Sequence, residues 1–357
     1  MILVGVIIIA LILVASVAVV MMSNNDGSNG NNNSNNNGNG DGTNGDTNGD
    51  GDGSSGDGDG DGDNNNDNGE QMWEPMGSNG ITPDGTLYDI HFLSASTGWI
   101  TSLSNPEIYY TTDGAQTFVS QDNEYNTDIR AIFMLNANEG YAGGESGVVY
   151  RTTNSGADWV YHGSLGGPSI TDIAFPPGST TGYGCGGSGN IFEITSSGIT
   201  KTNINTVSSL ASITFPSATE GWCCGENAIR HYTNGAWTAD QSYASGGYNS
   251  IYFVPGTTQG WCVGDTGRIL HTTDGMSWQI QTNPDTTEYT LHDVFFKDTS
   301  NGWAVGNGGI LLHTTDGGSN WVLQNSGTTN NLYRVFAISS DVYVTGWNGT
   351  LLKYSRE

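Results

Sequence analysis

A motif returns about every forty residues through most of this chain: an apolar run, a Gly-aromatic pair, a Gly-rich turn and a Thr-Thr-Asp-Gly turn. A repeat of this length folds as propeller blades or solenoid units, because one unit cannot bury its apolar face alone. The clearest copy is LHDVFFKDTSNGWAVGNGGILLHTTDGGSNWVLQ, from Leu291 to Gln324. Aligned on its Gly302-Trp303 pair, the aromatic recurs at Trp99, Tyr141, Tyr183, Trp222, Trp261, Trp303 and Tyr343, which makes seven units.

Before each aromatic stands a run of the form L-x-x-I-x-F: LYDIHF, IRAIFM, ITDIAF, LASITF, YNSIYF, LHDVFF and LYRVFA. These runs read as innermost strands, and the turns after them divide each unit into four strands. The expected fold is therefore all-β, a seven-bladed β-propeller of four-stranded blades. Residues 71–357 supply about 41 residues per blade. The seventh unit stops at LLKYSRE without a fourth strand, while QMWEP near the start of the region carries a Trp in the style of that missing strand. An N-terminal strand is thus expected to close the ring and remove its open edges.

Ahead of the repeats, residues 1–22 contain no charge and exceed the roughly 18 apolar residues that indicate a transmembrane helix. A retained anchor is the expectation, with a cleaved signal peptide at Ser16-Val17-Ala18 as the alternative. Residues 23–70 are almost wholly Asn, Gly, Asp, Ser and Thr, with no aromatic residue. Such a tract cannot offset its chain entropy and reads as a disordered linker reaching, by coil scaling, roughly 40 Å. The propeller is expected outside the cytoplasm, anchored or secreted.

The net charge is −27, and no Lys or Arg precedes Arg130, so the chain lacks the basic footprint of a nucleic-acid binder.

TTDGAQTF from Thr111, TTNSGADW from Thr152, TTDGMSW from Thr272 and TTDGGSNW from Thr314 resemble the Asp boxes of BNR repeats. Together with GWAVG they make the pattern similar to the photosystem II stability and assembly factor family of seven-bladed propellers. The resemblance spans all seven units, with shortened boxes in the third (ITSSGIT) and fourth (YTNGAW). It implies a non-enzymatic protein that holds a membrane-protein precursor and carries a basic patch. Here six Arg residues are scattered over an acidic molecule, and the apolar and Asn/Gly/Asp segments are additions. Propellers of this repeat also serve as sialidases, glucanases and sorting receptors, so fold alone does not fix the task.

The candidate site lies where the innermost strands begin. Tyr88, Asp89, Arg130, Asp172, Asn249, His292, Asp293, Tyr333 and Arg334 are expected to ring the mouth of the central channel, a mixture suited to a peptide or sugar. The aspartates among them equally suit backbone amides in crowded strands. The expected partner is a protein or a surface glycan, without a cofactor. The alternative is a glycoside hydrolase or sialidase-like enzyme using carboxylates at that mouth. The Arg-Ile-Pro strand of sialidases is absent from the sequence.

Four further groups carry expectations. The Asp-box aspartates Asp113, Asp274 and Asp316 are turn formers. His231, His271 and His313 occupy one equivalent place in successive blades, which does not converge as a metal site must. Cys185, Cys223, Cys224 and Cys262 alternate so that Cys185 faces Cys223 and Cys224 faces Cys262, which permits two disulfides or two pairs of small buried apolar groups. Asp59, Asp61, Asp63, Asp67 and Glu70 partly match a calcium loop, but Asn64 stands where its Gly is required. Asn32 and Asn348 begin glycosylation sequons.

Overall fold

The computed structural model describes residues 73–77, 80–81, 85–103, 107–122, 127–204, 208–238 and 246–354. The expected anchor, the linker and the partial calcium loop lie outside the described residues. No described helix is long and apolar enough to cross a membrane.

Seven four-stranded antiparallel sheets follow one another along the chain. In the sixth blade the strands are Leu291–Phe296, Gly302–Gly306, Leu311–Thr314 and Val322–Gln324, paired in that order. The seventh takes Leu332–Ile338, Asp341–Gly346 and Leu351–Tyr354 from the end of the chain, and its fourth strand is Glu74–Pro75. Glu74 pairs with Lys353 and Pro75 with Leu352, so an N-terminal strand closes the ring.

Closure reaches the side chains as well. In the second and sixth blades the Trp after the Asp box donates to a Gln on the preceding blade's outer strand: Trp159 Nε1 to Gln121 Oε1 at 3.2 Å and Trp321 Nε1 to Gln281 Oε1 at 3.1 Å. Trp73 Nε1 donates to Gln324 Oε1 at 2.9 Å, across 251 positions of sequence. The Trp preceding the closing strand therefore fills the same socket as the box tryptophans.

The Gly-aromatic pair has a steric origin. A Cβ on Gly302 would lie 2.5 Å from the Phe296 ring, and one on Gly260 would lie 2.6 Å from Phe253. Glycine lets the last aromatic of the inner strand lie flat on the second strand. The seventh blade makes the reverse exchange: Ala337 replaces the Phe and Val342 replaces the Gly. The aromatic next to the glycine then packs across the blade interface, as where Trp261 stacks on Phe296 with ring centroids 3.5 Å apart. Seven buried clusters of this kind hold the blades together.

Candidate functional site at the channel mouth

Each inner strand carries a register shift near its start, between its first and third or fourth residues. A bulge re-aims the side chains around it. At the third place the seven blades present Asp89, Ala131, Asp172, Ser212, Ser250, Asp293 and Arg334. Six of these seven, all but Ala131, line a central cavity of about 200 Å³.

These polar residues join one blade to the next. Asp89 Oδ2 accepts the Ile132 amide at 2.8 Å, Asp172 Oδ2 accepts the Ile213 amide at 2.9 Å, and Asp293 Oδ2 accepts the Val335 amide at 2.9 Å. Ser212 Oγ accepts the Ile251 amide at 3.4 Å and donates to Asp172 Oδ2 at 2.8 Å. Ser250 Oγ accepts the Val294 amide at 3.3 Å and donates to Asp293 Oδ1 at 2.6 Å. The last blade reaches the first through Arg334, whose Nε lies 3.2 Å from Asp89 Oδ1 while its Nη1 lies 3.7 Å from Asp293 Oδ1.

Two carboxylates, Asp89 and Asp293, thus share one guanidinium in a buried layer, and Asp172 acts on it through charge alone. Burial pushes Asp89 up to about 6, against the opposing pull of Arg334 and two backbone amides. Burial likewise raises Asp172 and Asp293. For Arg334 burial works toward a lower pKa, but Asp293, Asp89 and Asp172 outweigh it and raise the pKa. Burial thus favours protons on the carboxyl groups, while the carboxylates keep Arg334 charged.

At the second place lies a different layer. Tyr88 and Tyr333 stack with centroids 5.7 Å apart, and His292 sits 5.2 Å from Tyr333. Arg130 and Arg334 each lie 5.8 Å from the Tyr88 centroid. Arg130 also pairs with Glu145 at 3.6 Å, and His292 Nε2 meets Asn307 Oδ1 at 2.6 Å. Asn249 is drawn aside, donating to the Leu291 carbonyl at 2.9 Å.

Eight of the nine residues singled out from the sequence therefore divide into two layers, with Asn249 in neither. Asp89, Asp172, Asp293 and Arg334 form the inner one, and Tyr88, Arg130, His292 and Tyr333 meet at the outer one. Sequence reasoning missed the fifth place, where His91, Phe133, Tyr252, Phe295 and Phe336 line the cavity. The Phe295 and Phe336 rings are 5.2 Å apart, and His91 and Phe133 are 4.9 Å apart. Burial pushes His91 down to about 4, which leaves it neutral at pH 7. The signal was available as the unassigned x before the final F of L-x-x-I-x-F.

The other candidates resolve outside this site. Asp113, Asp274 and Asp316 each accept the preceding Thr hydroxyl and amides within their own turn. His231, His271 and His313 stack on the tryptophan of their own blade, at 4.5, 4.7 and 4.9 Å. All four cysteines are free, buried thiols rather than the two disulfides that the alternation permits. The facing pairs do share interblade clusters, Cys185 with Cys223 and Cys224 with Cys262, where they fill space as small apolar groups. Burial pushes the Cys185, Cys223 and Cys224 thiols up.

Residues 236–355 match the family model for the photosynthesis system II assembly factor YCF48. No curated protein matches the chain. Among solved structures, YCF48 bound to a D1 peptide is 19% identical with a TM-score of 0.66, covering 80% of this chain and 96% of that one. YCF48 from Cyanidioschyzon merolae is 21% identical with a TM-score of 0.64, covering 80% and 98%. A catalytically inactive virginiamycin B lyase from Staphylococcus aureus with quinupristin is 16% identical with a TM-score of 0.69, covering 80% and 99%. At these identities the structural likeness speaks for the fold, and the family match adds the repeat type. The chain folds as a seven-bladed propeller of BNR/Asp-box repeats, and its residues 236–355 are similar to the YCF48 family.

Proposed function

We propose that this chain is a non-catalytic scaffold that holds a segment of a protein partner at the mouth of its channel, displayed outside the cytoplasm on a tether formed by residues 1–70. The observation that carries the reading is the outer layer, where Tyr88, Tyr333 and His292 present ring faces beside two guanidinium groups. Such a surface takes up planar side chains and carboxylates of an extended peptide. Trp347, 55% exposed, is bonded through its amide to Asn331 just before one inner strand, and Tyr289, 45% exposed, lies two residues before another. The similar YCF48 structure with its D1 peptide supports a peptide as the ligand class.

The carboxylates beneath are a poor hydrolytic pair. A glycosidase needs one carboxyl group free to give a proton and another free to attack or to activate water. Asp89, Asp172 and Asp293 each spend an oxygen on a neighbouring blade's amide, and Arg334 takes a further oxygen of Asp89 and of Asp293.

Panning a random peptide library against the full-length protein, with Tyr88→Ala/Tyr333→Ala as the comparison, tests the reading. Peptides that lose about tenfold in affinity on the double variant support it, the loss of one stacked contact corresponding to roughly 1.4 kcal/mol. Turnover of fluorogenic glycosides that vanishes in Asp89→Asn would replace it with the hydrolase. Binding of surface polysaccharide with no peptide selected would replace the protein partner with a glycan.

A further inference from the structure

The central cavity lies on the other side of the ionic layer from the aromatic mouth. It is lined from the third, fourth and fifth places of the inner strands, and no second-place residue lines it. Side chains two apart on a strand share a face, so each fifth-place residue stands about 7 Å along the channel from the third-place residue of its own blade. In the fifth, sixth, seventh, first and second blades the fifth place is a ring: Tyr252, Phe295, Phe336, His91 and Phe133. Successive centroids are 4.6, 5.2, 5.8 and 4.9 Å apart, and successive planes are inclined by 40°, 43°, 46° and 52°. The rings turn with the blades and make one continuous wall. It is broken in the third and fourth blades, where the fifth place holds Ala174 and Thr214.

Beneath that gap lies Asp172, the carboxylate of the ionic layer with which Arg334 makes no ion pair. Its oxygens accept the Ser212 hydroxyl and the Ile213 and Ile173 amides, neutral donors that leave its charge without a cation. Arg334 is itself held between Asp89 and Asp293, so the floor of the cavity sets three carboxyl groups against one guanidinium. The wall adds no opposing charge, because burial keeps His91 neutral at pH 7. Among the described residues neither His91 nor the Tyr252 hydroxyl has a hydrogen-bond partner. The seven connections from first to second strand, which follow the fifth places, consist of described residues, and none of them lines the cavity.

We propose that this aromatic cup binds a quaternary ammonium group, its methyl groups against the five rings and its charge in the gap above Asp172. Aromatic walls attract such a cation, and the carboxylates beneath add a charge of the opposite sign. The methylated ion carries no N–H, so it needs no acceptors from a wall made mostly of phenylalanine, whereas a primary ammonium would lose its water without replacement. The cavity of about 200 Å³ has room for one small head group, since an apolar cavity of about 150 Å³ takes up benzene. A hydroxyl arm, as in choline, would find Tyr252 or His91. The cup is separate from the outer layer and stands whether or not a peptide binds there.

The test is calorimetric titration of the full-length protein with choline and with its neutral isostere, in which a tert-butyl group replaces trimethylammonium. Choline is expected to bind saturably at one site, and the isostere about tenfold more weakly. Asp172→Asn should weaken choline about tenfold and leave the isostere unchanged, which also shows that the variant is folded. Phe336→Leu should weaken choline by removing a ring from the wall, and Ala174→Leu should block both ligands by filling the gap; these two decide the matter if Asp172→Asn does not fold. Tyr88→Ala/Tyr333→Ala should leave choline binding intact. Vesicles of dioleoylphosphatidylcholine that displace choline would identify a lipid head group as the source, and vesicles that do not would leave a free small molecule; either result supports the cup. The proposal is overturned if tens of millimolar choline give no saturable binding, or if the isostere binds as tightly as choline. It is equally overturned if Asp172→Asn, or Phe336→Leu and Ala174→Leu together, bind choline like the unaltered protein, or if the Tyr88→Ala/Tyr333→Ala variant loses it, which would move the cation to the mouth.

Discussion

Asp113 and Asp274, in exposed turns at the edge of the ring, are held down at about 2, whereas Asp89, lining the channel, is held up at about 6. One residue type in one repeat protein is shifted in opposite directions. In the turns the first cause is hydrogen bonding, from Thr117 to Asp113 and from the Ser277 and Met276 amides to Asp274. In the channel the first cause is burial, which the bonds to amides only partly offset. The turn aspartates favour a local backbone shape, while the channel aspartates join separate blades and carry a desolvation cost in doing so.

The sharpest way to break this contrast is to remove the cation that the channel layer shares. Arg334→Ala removes the buried cation that offsets three buried carboxylates, which keep their amide and hydroxyl partners, and is expected to cost about 3–5 kcal/mol at pH 7, measured by urea unfolding. Much of the loss should be regained near pH 5, where the carboxylates take up protons. A loss below about 1 kcal/mol would mean that water already solvates the layer. Next in size, Asp172→Ala strips acceptors from the Ile213 and Ile173 amides and the Ser212 hydroxyl, at a cost of about 1–3 kcal/mol.

The pH dependence sharpens the comparison. Asp89 has a raised folded pKa, so its contribution is most favourable below the unfolded value of 3.8 and is lost as pH rises through about 6. Asp89→Asn removes that titration. The variant should therefore gain on the unaltered protein between pH 4 and pH 7, by on the order of 1–3 kcal/mol. Asp274 is the reverse case. Its folded pKa is lowered, so its contribution is present above 3.8 and is lost as pH falls toward 2. The smallest effect is expected from Asp316→Ala, which should open the 314–321 turn to limited proteolysis while leaving global unfolding nearly unchanged. A global loss as large as that of Asp172→Ala would show that the turns, too, hold blades together.

How far the sequence could be read follows the same division. The turn aspartates were legible because their partners lie two to four residues away, within one motif. The closing role of Trp73 was legible because a strand missing at one end matched a fragment at the other. The mouth residues were found by their place in the repeat. Their separation into an aromatic outer layer and an ionic inner one was not, because it depends on the bulge and on bonds between residues about forty positions apart. The aromatic residues at the fifth place were passed over as core, since an apolar residue in an apolar strand gives no hint that it faces a cavity. The cysteine faces were read from alternation alone, but alternation carries no information about the sulfur–sulfur distance.

The bond from Trp73 to Gln324 has a consequence in time. During synthesis the residue that completes the circle emerges first, and its counterpart follows 251 positions later. Most of the blades can pair and stack while the chain is still growing, each from neighbours close in sequence, but closing the circle waits for the slowest kind of contact. Until then Leu351–Tyr354 presents an unpaired edge of the kind that recruits other chains. Ring closure is therefore expected to be the late, concentration-sensitive step of folding, and the step at which a misassembled chain would go astray.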